Sequence, residues 1–450
     1  MRRVASRKAS LWLWPILFAA AMALSALIPP LQSPDEHSHL ARAYLISKGE
    51  WLLSTPPGMS SGGFVDKGLL AFADAYSTII ADSSARLTVQ RKATIANLQW
   101  GGGELFFPVP GTGYYTPMVY APHAAAMWLG RSLDLSIAST YHLVRGFCVL
   151  SCLAMLAMAS RLLQPPALAI ALLALPMTLF QFVAPTLDGV TTCLAVLTLS
   201  IFWRRLSGPD DLSAAHTWAF AACVALLASS RVQLLPLLAM PFYLAWARGY
   251  RRDALAGTAA GLLSAIWLAY ALTHTVDQRV KRGQATSELL TQYAFDPGAY
   301  FSIVWQSVSD NNLSRFYAAS FIGVLGWLDT WLPVWSYPVL WGSLAACTLA
   351  SLLRVRWTEA PLARAALACA ALACAGLVFF AMLITWTPHP ALTIEGVQGR
   401  YFIVPAIILA YATGASEAPK GWRWPAWSAV LATAAVSLYA LIPTLLARYH

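Results

Sequence analysis

Residues 1–30 read MRRVASRKASLWLWPILFAAAMALSALIPP, and this stretch sets the class of the whole chain. Four basic residues, Arg2, Arg3, Arg7 and Lys8, precede an apolar run from Leu11 to Ile28. That run approaches the length of about 20 residues that crosses a bilayer. The basic front would suit a signal peptide, but Pro29-Pro30 stands where small residues before a cut belong. A retained first span is expected. Apolar runs of similar length recur to the end of the chain. Hydrophobic residues make up 58% and charged ones 11%, against roughly 45–50% and 25% in soluble domains. The composition predicts an all-α polytopic membrane protein forming one membrane domain over 1–450, and it excludes a soluble globular domain.

Eleven spans are expected, near 9–29, 139–162, 166–184, 187–203, 214–230, 232–247, 254–273, 332–353, 364–386, 400–416 and 426–446. The pair flanking Arg231 is short for two crossings and reads equally as a re-entrant hairpin. The loops assigned inside hold Arg161, Arg204, Arg205, Arg248, Arg251, Arg252, Arg354, Arg356, Arg364, Lys420 and Arg423. With the four N-terminal residues that makes fifteen basic groups, against five acids: Asp210, Asp211, Asp253, Glu359 and Glu417. The remaining fifteen basic and fifteen acidic residues cancel, so the net charge of +10 lies wholly on the inner side. By the positive-inside rule this places the N-terminus in the cytoplasm and the C-terminus outside. The charge reports orientation in a membrane, not binding to nucleic acid. Three segments then lie outside: 30–138, 274–331 and the short 387–399. The seven cysteines (Cys148, Cys152, Cys193, Cys223, Cys347, Cys369 and Cys374) all sit in apolar runs. They read as small buried hydrophobes, not as disulfides or thiolate ligands for zinc.

The first outer segment opens with SPDEHSHLARAY, residues 33–44. Ser33 suits a helix N-cap, Pro34 the first helical position, and Glu36 the return contact of a capping box. Asp35, His39 and Arg42 fall at i, i+4 and i+7 and share one helix face. A carboxylate beside an imidazole at the membrane edge can serve as a general base or a metal ligand. Capping explains Glu36 well, so in its effect on activity Glu36→Gln is expected to be milder than Asp35→Asn. Further along, Tyr114, Tyr115, Tyr120 and His123 form an aromatic stretch that could stack on sugar rings but reads more readily as an interfacial belt. Residues Ala124 to Leu135 read as an interfacial helix with Met127 and Trp128 facing lipid.

Near the other end, EGVQGRYFIVP (395–405) leads into a span of only 15 residues, Tyr401 to Ala415. At 1.5 Å per residue this covers about 22 Å, short of a core of about 30 Å. The helix either starts below the surface or extends back through Arg400. Both place a guanidinium where a lipid-linked phosphate would lie, and Arg suits bidentate phosphate contact. Arg231 and Arg315 are further outer candidates. Asp188, in APTLDG (184–189), is a second outer acid that also suits capping of its span.

Taken with SFIGVLGWLDTWLP (320–333), these motifs resemble the predicted bacterial membrane-protein family called domain of unknown function 2142. The resemblance runs roughly from Leu11 to Tyr411. That family in turn looks like the GT-C-type glycosyltransferases. The likeness implies many spans, a large first periplasmic loop with juxtamembrane helices, and transfer of a sugar from a polyprenyl-phosphate carrier. It puts Asp35 at the general-base position with Glu36 beside it and His39 as the family's histidine. Gln398, Arg400 and Tyr401 fall in its Gln-Gly-Arg-Tyr motif. It also implies a bacterial inner-membrane protein that builds a cell-surface glycan from a lipid-linked sugar and a glycan or lipid acceptor. A divalent cation, Mg or Mn, held by Asp35, Glu36 and His39 is a further expectation. The rival reading is a transporter or flippase, or a non-catalytic member of a polysaccharide assembly system. Its ionisable groups would sit near the bilayer midplane on broken helices in related halves. Here the acids cluster at outer helix ends and no related halves are visible.

Overall fold

The computed structural model describes residues 2–207, 214–279, 283–353, 355, 357–414 and 424–450. Of the charges used for orientation, Asp210, Asp211, Arg354, Arg356, Glu417, Lys420 and Arg423 lie outside these residues. The protein is mostly helical, with two small two-stranded antiparallel sheets among the described residues. Among the described residues five helices are long and apolar enough to cross a membrane. They are Ile137–Leu162, Leu187–Ser207, Arg251–His274, Pro361–Thr385 and Pro425–Tyr449.

The other expected spans depart from plain helices for local reasons. The run 166–184 is two short helices, Ala167–Leu173 and Pro176–Val183. Pro176 lacks an N–H to donate and drives Leu175 into an extended conformation, which breaks the ladder. After Ala214–Ser230 the chain is extended at Arg231, turns through a 3-10 helix at Val232–Leu238 that contains Pro236, and resumes as Ala239–Arg248. The span after Gln398 starts with a 3-10 turn, Gly399–Phe402, before Ile403–Thr413. It therefore extends back through Arg400.

Helix Leu187–Ser207 is the central pillar. It is buried along almost its whole length, against Ile137–Leu162, Ala214–Ser230, Pro176–Val183 and Ile403–Thr413. Two helices approach closely through small residues: Ala221 packs with Ala256 and Ala260, the usual device where apolar solvent gives no drive to associate. Arg205, at the C-terminal end of the pillar, meets Asp253, in the first turn of Arg251–His274, at 2.5 Å. Each charge complements its own helix dipole. Arg364 donates to the terminal carbonyls Ala412 O and Gly414 O at 2.8 Å each. These charges of the expected inner loops thus lie buried at helix ends, and Arg364 caps one of them.

The opposite end of the molecule gathers the three expected outer segments. The first carries helix Glu36–Ser47, a hairpin pairing Gly62–Asp66 with Glu104–Pro108, and helix Ala121–Ser132. Tyr44 Oη and Lys48 Nζ both donate to Glu104, at 2.8 and 2.6 Å, and tie the helix to the hairpin. Helix Ala121–Ser132 starts three residues before the expected one. Trp128 is exposed, but Met127 is buried against the neighbouring helices and does not face lipid. The C-terminal helix ends on the same side. Arg448 donates to Asp329 and to Ile79 O, and His450 Nε2 lies 3.2 Å from Leu27 O. The far end of the last helix therefore meets the far end of the first, Arg2–Ala26.

Candidate functional site

A cavity of about 340 Å³ lies where the outer segments converge. The first segment supplies Asp35, His39 and Tyr115; the second, Asp277, Arg279 and Trp327; the third, Gln398, with Tyr401 just beyond it. Asp35 precedes helix Glu36–Ser47 in the left-handed region, φ 61°, and its side chain makes no capping bond. A non-glycine residue in that region is held there by its surroundings at some energetic cost. The consequence is local: the exposed Asp35 carboxylate lines the cavity, while its neighbour turns inward.

Glu36 is fully buried and does not line the cavity. Its carboxylate accepts from Leu31 N at 3.0 Å, Ser33 N at 2.9 Å and the Tyr141 hydroxyl. Arg145 lies 3.9 Å away and wraps the end of the first helix through Ser25 O, Ile28 O and Pro29 O. The return contact of the expected capping box is present, but Ser33 is not the N-cap. Two corrections follow. Glu36 does not stand beside Asp35 in the cavity but pins the connection after the first helix. The metal set of Asp35, Glu36 and His39 is not assembled, and no trio of His, Cys, Asp or Glu among the described residues is placed to hold an ion.

His39 meets the Tyr120 hydroxyl through Nδ1 at 2.7 Å and stacks on Tyr115. Tyr120 is buried and Tyr115 lines the cavity, so these aromatics form the site's wall and not an interfacial belt. Behind that wall stands an ion cluster. Asp188, in the first turn of the central pillar, pairs with Arg231 on one oxygen and lies 3.4 Å from Arg400 on the other. Arg231 also sits over the Tyr115 ring, 4.9 Å from its centroid, and Arg400 over Tyr401. The sequence candidates Asp188, Arg231 and Arg400 are therefore one constellation. Gly399 makes it possible: a Cβ there would come within 2.2 Å of Tyr317 O and 2.1 Å of Phe321 N. Gly399 N donates instead to Ser320 Oγ at 2.7 Å, which sets Arg400 in register.

Arg42 and Arg315 are not part of the site. Arg42 is buried beside it and donates to Trp51 O at 2.7 Å, while Arg315 is exposed on helix Asn311–Ile322 and does not line the cavity. Arg279, Trp327 and Trp386 were not singled out from the sequence. Arg279 is gripped bidentately by Asp277, at 2.9 and 2.7 Å, which raises its pKa, and faces Trp386. Trp327 donates to Leu31 O at 2.9 Å and stacks on His37, so the motif around it closes the cavity over the start of the first segment.

Burial holds two histidines neutral. It lowers His39 to about 3, helped by Arg231, and His123 to about 4. Both values lie below the unfolded value of 6.5, so the unfolded chain takes up more protons once the pH drops. Their stabilisation is complete above pH 6.5 and is lost as pH falls through the window from 6.5 toward 4 and 3. The loss approaches about 1.4 kcal/mol per pH unit for each ring. Melting of purified protein in detergent should therefore steepen its decline between pH 6.5 and 4.5. A His39→Gln/His123→Gln variant should show a flatter profile; an equal slope would mean that these rings are not the titrating groups.

No curated protein and no solved structure matches the chain. A family profile described as "Predicted membrane protein (DUF2142)" matches residues 17–410, which include Asp35, the ion cluster and every segment that lines the cavity. The chain belongs to the DUF2142 family of predicted membrane proteins.

Proposed function

We propose that the protein is a glycosyltransferase of GT-C-like layout that moves a sugar from a polyprenyl-phosphate donor to a cell-surface glycan or lipid acceptor. It would act on the periplasmic face of the bacterial inner membrane. About eleven crossings, some of them broken helices, put the N-terminus in the cytoplasm and the C-terminus outside. An odd number of crossings is supported by the meeting of His450 with Leu27, at the far ends of the last and first helices.

The observation that carries the reading is the cavity, where an uncapped carboxylate, Asp35, shares a wall with Arg279 and aromatic rings. Trp327, Trp386 and Tyr115 offer faces for a sugar ring, and Gln398 has a buried Oε1 without a hydrogen-bond partner that could accept from a ligand hydroxyl. In the proposed reaction the acceptor hydroxyl attacks the anomeric carbon and gives its proton to Asp35. The anomeric carbon–oxygen bond to phosphate breaks with inversion, and the phosphate departs as an anion. Arg279, backed by Arg400 and Arg231, offsets the charge that develops on it.

The test is transfer from a defined polyprenyl-phosphate sugar by purified protein in nanodiscs. Wild type should turn over, and Asp35→Asn should lose at least about a hundredfold in kcat, at the low end for loss of a general base. Asp35→Asn should still reach the membrane at normal levels, since among the described residues the exposed side chain makes no capping bond. Full activity in Asp35→Asn would remove the proposed base, and no turnover across a panel of donors would remove the enzyme reading.

A further inference from the structure

The segment 274–331, expected outside the membrane, holds three helices: Thr286–Phe295, Pro297–Ser309 and Asn311–Ile322. The middle one has no charged residue inside it. Its side chains divide into three arcs at 100° per residue. Ile303 and Ser307 are buried against the protein. Phe301, Trp305 and Val308 form an exposed apolar arc, 66%, 71% and 44% accessible. Ser302, Gln306 and Ser309 form an exposed polar arc about 100° away. Phe295, at the end of the preceding helix, adds a fully apolar ring that is 87% accessible.

An independent contact fixes the depth. Tyr300 donates to Gly376 O at 2.7 Å and packs on Phe380, both within helix Pro361–Thr385. Gly376 lies nine residues before Thr385, or about 13 Å along the axis. The helix of 25 residues is about 37 Å long, against a hydrocarbon core of about 30 Å. If the whole excess emerged beyond Thr385, Gly376 would still lie about 6 Å inside the boundary. On that span Leu372, one turn before Gly376, is itself exposed, as a lipid-facing residue of a membrane helix is.

We propose that helix Pro297–Ser309, with Phe295, lies in the outer leaflet of the bilayer as a monotopic element. Phe301, Trp305 and Val308 contact acyl chains, and Ser302, Gln306 and Ser309 face the headgroups. The occupant of the apolar face is lipid. The placement has a consequence for the site. Ser307 Oγ accepts from Ile394 N at 2.8 Å, just before Gly396 and Gln398 of the cavity wall, so the same helix ties that wall to the membrane surface.

The experiment places a nitroxide at Trp305→Cys or Gln306→Cys in full-length protein whose more accessible cysteines, Cys223 and Cys369, are replaced by alanine. The protein is reconstituted in phosphatidylcholine nanodiscs, and accessibility is read by collision with oxygen, which partitions into lipid, and with a water-soluble nickel chelate. The label at Trp305→Cys should relax strongly with oxygen and at least threefold less with the chelate. The label at Gln306→Cys should show the higher chelate response. Chelate access at Trp305→Cys equal to that at Gln306→Cys would place the helix in water. Protection of the Trp305→Cys label from both reagents would mean that protein, not lipid, covers the face. Either result overturns the proposal, and neither depends on enzymatic activity.

Discussion

Glu36→Ala is expected to remove most of the protein from the membrane, although Asp35→Asn one residue earlier leaves accumulation unchanged. Glu36 has no exposed surface and satisfies two backbone amides and the Tyr141 hydroxyl. It is also the counter-charge of Arg145, whose side chain is equally inaccessible. Truncation strands a buried guanidinium and three donors. Breaking such a pair costs about 3–5 kcal/mol, a large share of a typical total of about 5–15 kcal/mol. Glu36→Gln should fall between the two variants. One oxygen remains to accept, but the amide presents a donor to groups that themselves donate. Membrane levels by immunoblot and thermal melting in detergent give the measurement. A Glu36→Ala protein with wild-type abundance and melting would show that the Glu36–Tyr141–Arg145 arrangement does not hold the fold together.

The pair Asp35-Glu36 also shows where sequence reading stops. Asp35 is legible as a candidate from the face it shares with His39 and Arg42, whereas Glu36 reads as a capping residue and stands beside it only through the family resemblance. The left-handed residue at Asp35 delays the helix to Glu36, and only the packing of Tyr141 and Arg145 decides which acid faces inward. Those two residues lie more than a hundred positions away, in a span whose apolar character dominates its reading. The same limit governs the spans. Length and hydropathy reveal membrane segments, and Pro176 and Pro236 mark where they break, but the extended backbone at Arg231 has no proline beside it to announce it. Asp188, Arg231 and Arg400 were each legible as charges at helix ends. Their union was not, because it depends on the central pillar standing between two other helices. Arg279 was missed for a different reason: alone in a loop beside Asp277, it carries no spacing signal.

The ion cluster supports a prediction in which charge counting sets the order of effects. Wild type holds one carboxylate between two guanidiniums, all at most 14% exposed. Arg400→Ala leaves a neutral Asp188–Arg231 pair, so the fold should tolerate it. Asp188→Ala leaves Arg231 and Arg400 close together with no counter-charge, at a cost of about 3–5 kcal/mol. The double variant Asp188→Ala/Arg400→Ala removes the repulsion and should recover part of that loss, a sign that simple cavity formation cannot produce. Activity should follow a different order, given the proposed transfer reaction. Arg400→Ala, although folded, should lose roughly a hundredfold in kcat, comparable to removing one preorganised donor to a developing anion. Arg400→Lys should retain a small part, since it keeps the charge but not the planar fork. A contact made equally in ground and transition states would instead raise KM alone. Melting of the three variants and kinetics of the folded ones separate these cases. If Arg400→Ala melts and turns over like wild type, Arg400 has no part in the reaction, and phosphate recognition must rest on Arg279.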